Sequence, residues 1–186
     1  MFLLILGLIL WTAVHFWKRI APDHRAKFGD PGKGIVAGGI AVSILLMIFG
    51  YRAWDGTVFW GRSSALVGIN NLLIVIGFYI YSTGAPGPGK PRARLGRMLR
   101  HPQLIGFSLW AIAHLIVNGD TPSFVLFGWL LAWAVVTMIV INRAEPDWTP
   151  APAGDAKKEI VPVVATVVMV AVIGGIHYWL GYNPSG

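Results

Sequence analysis

Arg100-His101-Pro102-Gln103-Leu104-Ile105-Gly106 runs on through Leu109-Trp110-Ala111-Ile112-Ala113-His114 to Asn118-Gly119-Asp120. It sets a basic entrance, an apolar helix with two histidines and a polar exit in a row. Pro102 suits a first helical turn, where the missing N–H has no intrahelical partner to lose. Asn118-Gly119-Asp120 supplies turn residues that stop this helix and start the next. A helix of this kind belongs in a bilayer, and the rest of the chain reads as the scaffold around it.

The composition agrees. Of 186 residues, 55% are hydrophobic and only 12% charged, and the charges leave long runs untouched. That pattern marks an integral membrane protein. No cysteine is present, so disulfides, thiolate-ligated metals, cysteine nucleophiles and c-type haem attachment drop out. Met1 to Trp17 is apolar like a signal peptide but lacks a positive n-region, with Lys18 and Arg19 behind it, and is expected to be a retained first span. The net charge of +7 does not call for nucleic acid, because the basic residues cluster at span ends.

Six apolar segments, near 2–18, 33–52, 64–83, 102–118, 122–142 and 160–181, are each long enough or nearly so to cross about 30 Å of hydrocarbon at ~1.5 Å per residue. The fourth is the shortest. Except for 84–101 and 143–159 the connections are short, which predicts antiparallel neighbours in a single all-α, six-span transmembrane domain covering 1–186. Lys18, Arg19, Arg25, Lys27, Lys33, Lys90, Arg92, Arg94, Arg97, Arg100, Arg143, Lys157 and Lys158 fall on one side, and of the 15 basic residues only Arg52 and Arg62 fall on the other. The positive-inside rule then places both termini outside and these basic loops in the cytoplasm.

Trp54 and Trp60 stand where an outer aromatic belt belongs, and Trp17 where an inner one does. Gly34 with Gly38, and Gly174 with Gly175, are small-residue patterns expected to mark tight helix packing. Within 84–101, Gly-Ala-Pro-Gly-Pro-Gly cannot be helical, whereas Leu95, Met98 and Leu99 share one face of a short interfacial helix.

Ionisable residues inside spans are costly and read as functional until a partner explains them. His15, His24 and His101 lie toward the cytoplasmic side, and His114 and His177 toward the outer ends of their spans. His101 and His114, 13 residues apart, are ~20 Å apart along a helix and about 220° around it. They cannot share one iron, whose two axial nitrogens lie about 4 Å apart. A ligand pair must join different spans at similar depth: His114 with His177, or His15 with His101. The second ring nitrogen of each would need an acceptor, and Asn70, Asn71, Asn118 and Asp120 are near the outer layer. The plain alternative is that these polar groups only hold helices together. Arg100 beside His101 can take a phosphate or carboxylate, or simply snorkel. No serine elbow, paired carboxylates or HExxH motif is present.

Arg-His-Pro-Gln, Gly106, Leu109-Trp110, Ala113-His114-Leu115 and Asn118-Gly119-Asp120, with His15, Pro22 and Arg25 upstream, resemble the NnrU family of bacterial membrane proteins. They also resemble its relative, the 15-cis-ζ-carotene isomerase of plants and cyanobacteria. The likeness runs through about residue 143, with the last span least characteristic. It implies a multi-span haem b protein in which His15, His101 and His114 are the important histidines and His114 with His15 the axial ligands. Arg25, Arg100, Trp110, Asn118 and His177 complete the candidate cofactor contacts. The isomerases carry a cysteine where this chain has Ala111, which argues against isomerase chemistry here. The NnrU branch is associated with denitrification, so the expected role is an accessory or sensory factor in nitrogen-oxide metabolism, with the lipid bilayer and nitric oxide as partners. The alternatives are a haem-dependent cis-trans isomerase of a carotenoid-like polyene and a non-catalytic structural subunit. A third comes from Arg-His-Pro-x-x-x-Gly, which has the spacing of a block in membrane isoprenylcysteine methyltransferases that bind S-adenosylmethionine. Leu104 replaces the tyrosine of that block.

Overall fold

The computed structural model describes residues 1–87 and 89–183. It is helical apart from two strands of three and two residues. The elements are α1 Phe2–Ile20, α2 Pro22–Ala26, α3 Pro31–Arg52, β1 Val58–Trp60, α4 Ser64–Thr83, α5 Arg94–Met98, α6 Pro102–Val117, β2 Gly119–Asp120, α7 Thr121–Ala144 and α8 Ala156–Trp179. Among the described residues α1, α3, α4, α7 and α8 are long and apolar enough to cross a membrane, which makes this a helical membrane protein. The sixth apolar segment is α6, whose 16 residues extend only about 24 Å.

Helix ends follow their capping chemistry. The Ser63 hydroxyl accepts the Leu66 N–H and starts α4, and Pro31 and Pro102 open α3 and α6. The last helix begins at Ala156 rather than at 160, because the Asp155 carboxylate accepts the Lys158 N–H at 3.2 Å and draws the charged turn Lys157-Lys158-Glu159 into the helix. It ends at Trp179, two residues earlier than the apolar run suggests.

The chain divides into two compact units. Unit 1 comprises Met1–Phe59 and Asp120–Trp129. Its core is an antiparallel pair, α1 on α3, seated on small residues. Leu4 lies on the backbone at Gly50, and a Cβ on Gly7 would come within 2.8 Å of the Ser43 carbonyl oxygen. At the other end Val14 fills the space in front of Gly39. Leu4 and Leu8 are wholly buried by this approach. The first turns of α7 join the unit by polar contacts. Trp129 Nε1 donates to Thr12 Oγ1 at 3.0 Å, and Tyr51 and Ser123 hydroxyls lie 2.8 Å apart, with Ser123 also donating to the Asp120 carboxylate.

Unit 2 comprises Trp60–Gly119 and Leu130–Gly186, of which the structure describes residues up to 183. Here α4 and α6 cross backbone to backbone at Gly77 and Gly106. A Cβ on Gly77 would lie 3.0 Å from the Gly106 carbonyl oxygen, and one on Gly106 would strike Gly77 and Tyr81. The α8 helix packs on α4 through Thr166 and Met169, the latter accepting from the Ser82 hydroxyl. At one end the two long connections are laced together. Arg92 N–H donates to the Pro152 carbonyl and Gly154 N–H to the Arg92 carbonyl, while Arg97 Nε donates to Ala151 and the Arg94 N–H to the Glu159 carboxylate.

Two expectations are corrected. Gly34, Gly38, Gly174 and Gly175 have open space where a Cβ would go, so these small residues do not mediate helix packing; Gly7, Gly39, Gly50, Gly77 and Gly106 do. The interfacial helix in 84–101 is only the five residues of α5, pinned by Gly96 against the end of α4 at Thr83, and its Met98 is 66% exposed.

A leucine at Gly106 must push α4 and α6 apart, and overpacking of this kind costs about 1–3 kcal/mol. Gly106→Leu is expected to lower the unfolding midpoint in a detergent–SDS titration accordingly. Gly38→Leu is expected to stay within about 0.5 kcal/mol of the parent.

Candidate functional site

Three histidines sit within the long apolar helices, and each solves the same problem in the same way. A ring N–H removed from water needs an acceptor, and a helix offers the carbonyl one turn back. His15 Nδ1 lies 2.7 Å from the Trp11 carbonyl oxygen, His114 Nδ1 2.9 Å from that of Trp110, and His177 Nδ1 2.8 Å from that of Ile173. A carbonyl only accepts, so Nδ1 carries the hydrogen in all three and the lone pair belongs to Nε2. This corrects the expectation that Asn or Asp side chains would accept from the imidazoles.

The asparagines hold backbone instead. Asn118 Nδ2 donates to the His114 carbonyl at 2.9 Å. With its amide assigned so that both ends are satisfied, Asn70 on α4 donates to the Ala113 carbonyl at 2.9 Å and accepts from the Asn71 N–H. The turn of α6 that bears His114 is therefore clamped on both sides of its backbone. Asp120 is spent on starting α7, its carboxylate taking both the N–H and the hydroxyl of Ser123.

The two remaining histidines have the opposite polarity. His24, exposed beyond α1, accepts the Trp17 indole N–H at Nδ1. His101 precedes α6 and donates from Nε2 to Asn142 Oδ1 at 2.8 Å. Arg100 beside it donates to the Glu145 carbonyl, so both residues fasten the start of α6 to the end of α7. Arg25 donates to the Gly29 carbonyl, fills the space at Gly32 and lies 5.5 Å over the Trp17 ring. Of the expected cofactor contacts, Arg25, Arg100 and His101 thus have evident structural employment. His15 stands in unit 1; in unit 2, His114, Trp110 and Asn118 lie on α6, and His177 lies on α8.

Beside the first half of α6 is an open apolar cleft of about 210 Å³, lined by Phe78, Tyr81, Gly106, Phe107, Trp110 and Met169. Trp110 also lies against His114, the two rings tilted by 49° with centroids 4.9 Å apart. Among the described residues no three His, Asp or Glu side chains gather as a cage for a bare ion.

Reasoning from sequence missed Trp11, whose ring lies 4.2 Å from that of His15. The signal is in the chain: Gly7-x-x-Leu10-Trp11-x-x-x-His15 and Gly106-x-x-Leu109-Trp110-x-x-x-His114 are the same pattern.

Among protein families, the one described as NnrU protein matches residues 3–184, and the match runs through the last helix rather than fading near residue 143. No curated protein and no solved structure matches the chain. With nearly its whole length matched, the chain belongs to the NnrU family.

Proposed function

We propose that this chain is a protein of the bacterial inner membrane that binds haem b through His114 and supports nitrogen-oxide metabolism as an accessory or sensory factor. In this reading α6 completes a set of six crossings, with both termini periplasmic and the arginine-laced loops cytoplasmic. The observation that carries it is the hydrogen bond from His114 Nδ1 to the Trp110 carbonyl. Histidines that ligate metals donate their other ring N–H to a carbonyl or carboxylate, which fixes the tautomer and raises the basicity of the ligating nitrogen. A porphyrin asks the protein for only one or two axial side chains, and neutral imidazole is a common one. The donor set therefore fits the group.

His114 Nε2 would hold the iron, and a second histidine would supply the other imidazole; His177 is in the same unit as His114 and its Nδ1 is bonded in the same way. When bound, haem b supplies an iron that can take nitric oxide or pass single electrons. The protein's own part is to fix which nitrogen faces the ligand and to aim it. Asn70 and Asn118 hold the carbonyls of residues 113 and 114, so the turn bearing the ligand is a fixed platform.

A second reading has the cleft in its favour. Its aromatic and methionine lining suits an apolar, membrane-dissolved molecule, which is what a haem-dependent cis-trans isomerase of a polyene would need. Ala111 stands where the isomerases have cysteine, which weighs toward the first reading.

Protein purified in detergent from haem-replete cells is expected to show a Soret band that is lost in His114→Ala. Of His15→Ala and His177→Ala, the one that removes the second ligand should change the band position. Nitric oxide should shift the spectrum of the parent protein. Folded parent protein that is colourless, or a band untouched by His114→Ala, contradicts the proposal. Turnover of a cis-polyene in liposomes would instead establish the second reading.

A further inference from the structure

The repeated Gly-x-x-Leu-Trp-x-x-x-His pattern is matched by repeated geometry. Gly, Trp and His at i, i+4 and i+8 lie along one stripe of a helix, one turn above another. In α1, Gly7 admits the backbone of α3; in α6, Gly106 admits that of α4. One turn on, each tryptophan carbonyl accepts the histidine Nδ1–H, and each indole lies against the imidazole, tilted by 38° in α1 and 49° in α6. His177 supplies an internal control. It has the same carbonyl bond, but the residue one turn back is Ile173, which has no ring.

We propose that this pattern is a ligand-presenting module that the chain carries twice, once in each unit, with Trp11 and Trp110 as positioning residues. The backbone bond decides which nitrogen bears the hydrogen, and the broad sp³–sp² torsion of the imidazole leaves its plane to be set by what the ring packs against. The indole is such a contact in both helices. A ring held in its bound orientation beforehand has less freedom to lose when Nε2 is engaged. With a ligand on Nε2, the plane in which the imidazole is presented would be the one the tryptophan sets. This proposal rests on the haem reading for the identity of the ligand, but its geometric part does not.

The test uses full-length protein in bilayers. In the haem-free state the Cε1–H and Cδ2–H resonances of His15 and His114 should be displaced upfield by the indole ring current. Trp11→Ala should abolish the displacement at His15 only, and Trp110→Ala at His114 only. In the loaded state, removing the ring behind a ligating histidine should lower haem affinity by about 10–100-fold, the usual effect of losing a supporting contact to a metal ligand. It should also alter the electron paramagnetic resonance spectrum. Trp110→Phe keeps a ring and should retain most of the affinity, which also answers the concern that the alanine variant misfolds. Ile173→Ala should leave His15 and His114 unchanged. Folded alanine variants that keep parental affinity and spectrum, or parental protein without the ring-current displacements, overturn the module. Parental protein that shows both displacements yet takes up no haem overturns the haem reading and leaves the positioning role intact.

Discussion

An imidazole N–H placed among apolar side chains has to find an acceptor, and in a bilayer water does not provide one. In α1, α6 and α8 the acceptor is the carbonyl one helical turn earlier, at 2.7–2.9 Å. Much follows from this local solution. It puts the hydrogen on Nδ1 and assigns the lone pair to Nε2 before any ligand arrives. Because the acceptor belongs to the same helix, the aim of each ring is tied to the helix that bears it. Helix packing then becomes the means of positioning a ligand.

That packing relies on backbones meeting, not on large side chains interlocking. Lipid tails are as apolar as leucine, so burial alone gives little reason for two spans to associate, and close contact at small residues does most of the joining. Gly7, Gly39 and Gly50 seat α1 on α3, and Gly77 and Gly106 seat α4 on α6. Gly7 and Gly106 stand two turns before His15 and His114. The same contact that joins each helix to its neighbour thus fixes the rotation of that helix about its axis, and with it the direction of the imidazole.

Much of the fold was legible in the chain. Charge-free runs gave the apolar helices, Pro102 marked the start of α6 and Asn118 its end. The start of α8 was missed because a single capping carboxylate, Asp155, outweighed the apolar boundary that hydropathy marks. Which glycines pack was not legible, since spacing is equally regular on every face and only the partner helix selects one: Gly39 packs while Gly38 beside it does not. The candidate site was half legible. His15, His114 and His177 stood out as ionisable residues in apolar surroundings, but their acceptors are backbone atoms that no residue type announces. Arg25 and Arg100 look like anion ligands by type, yet their guanidinium groups bond to the carbonyls of residues 29 and 145. The tryptophan behind each ligand was readable only by setting two stretches in different halves of the chain side by side.

The most direct measurement is the nitrogen-15 spectrum of histidine-labelled, haem-free protein in bilayers, with each resonance assigned by single His→Gln variants. His15, His114 and His177 should carry the hydrogen of their backbone bond at Nδ1, and His101 that of its bond to Asn142 at Nε2. A His114 that is protonated at Nε2, or doubly protonated at neutral pH, would not have the lone pair that ligation requires and would contradict the central claim.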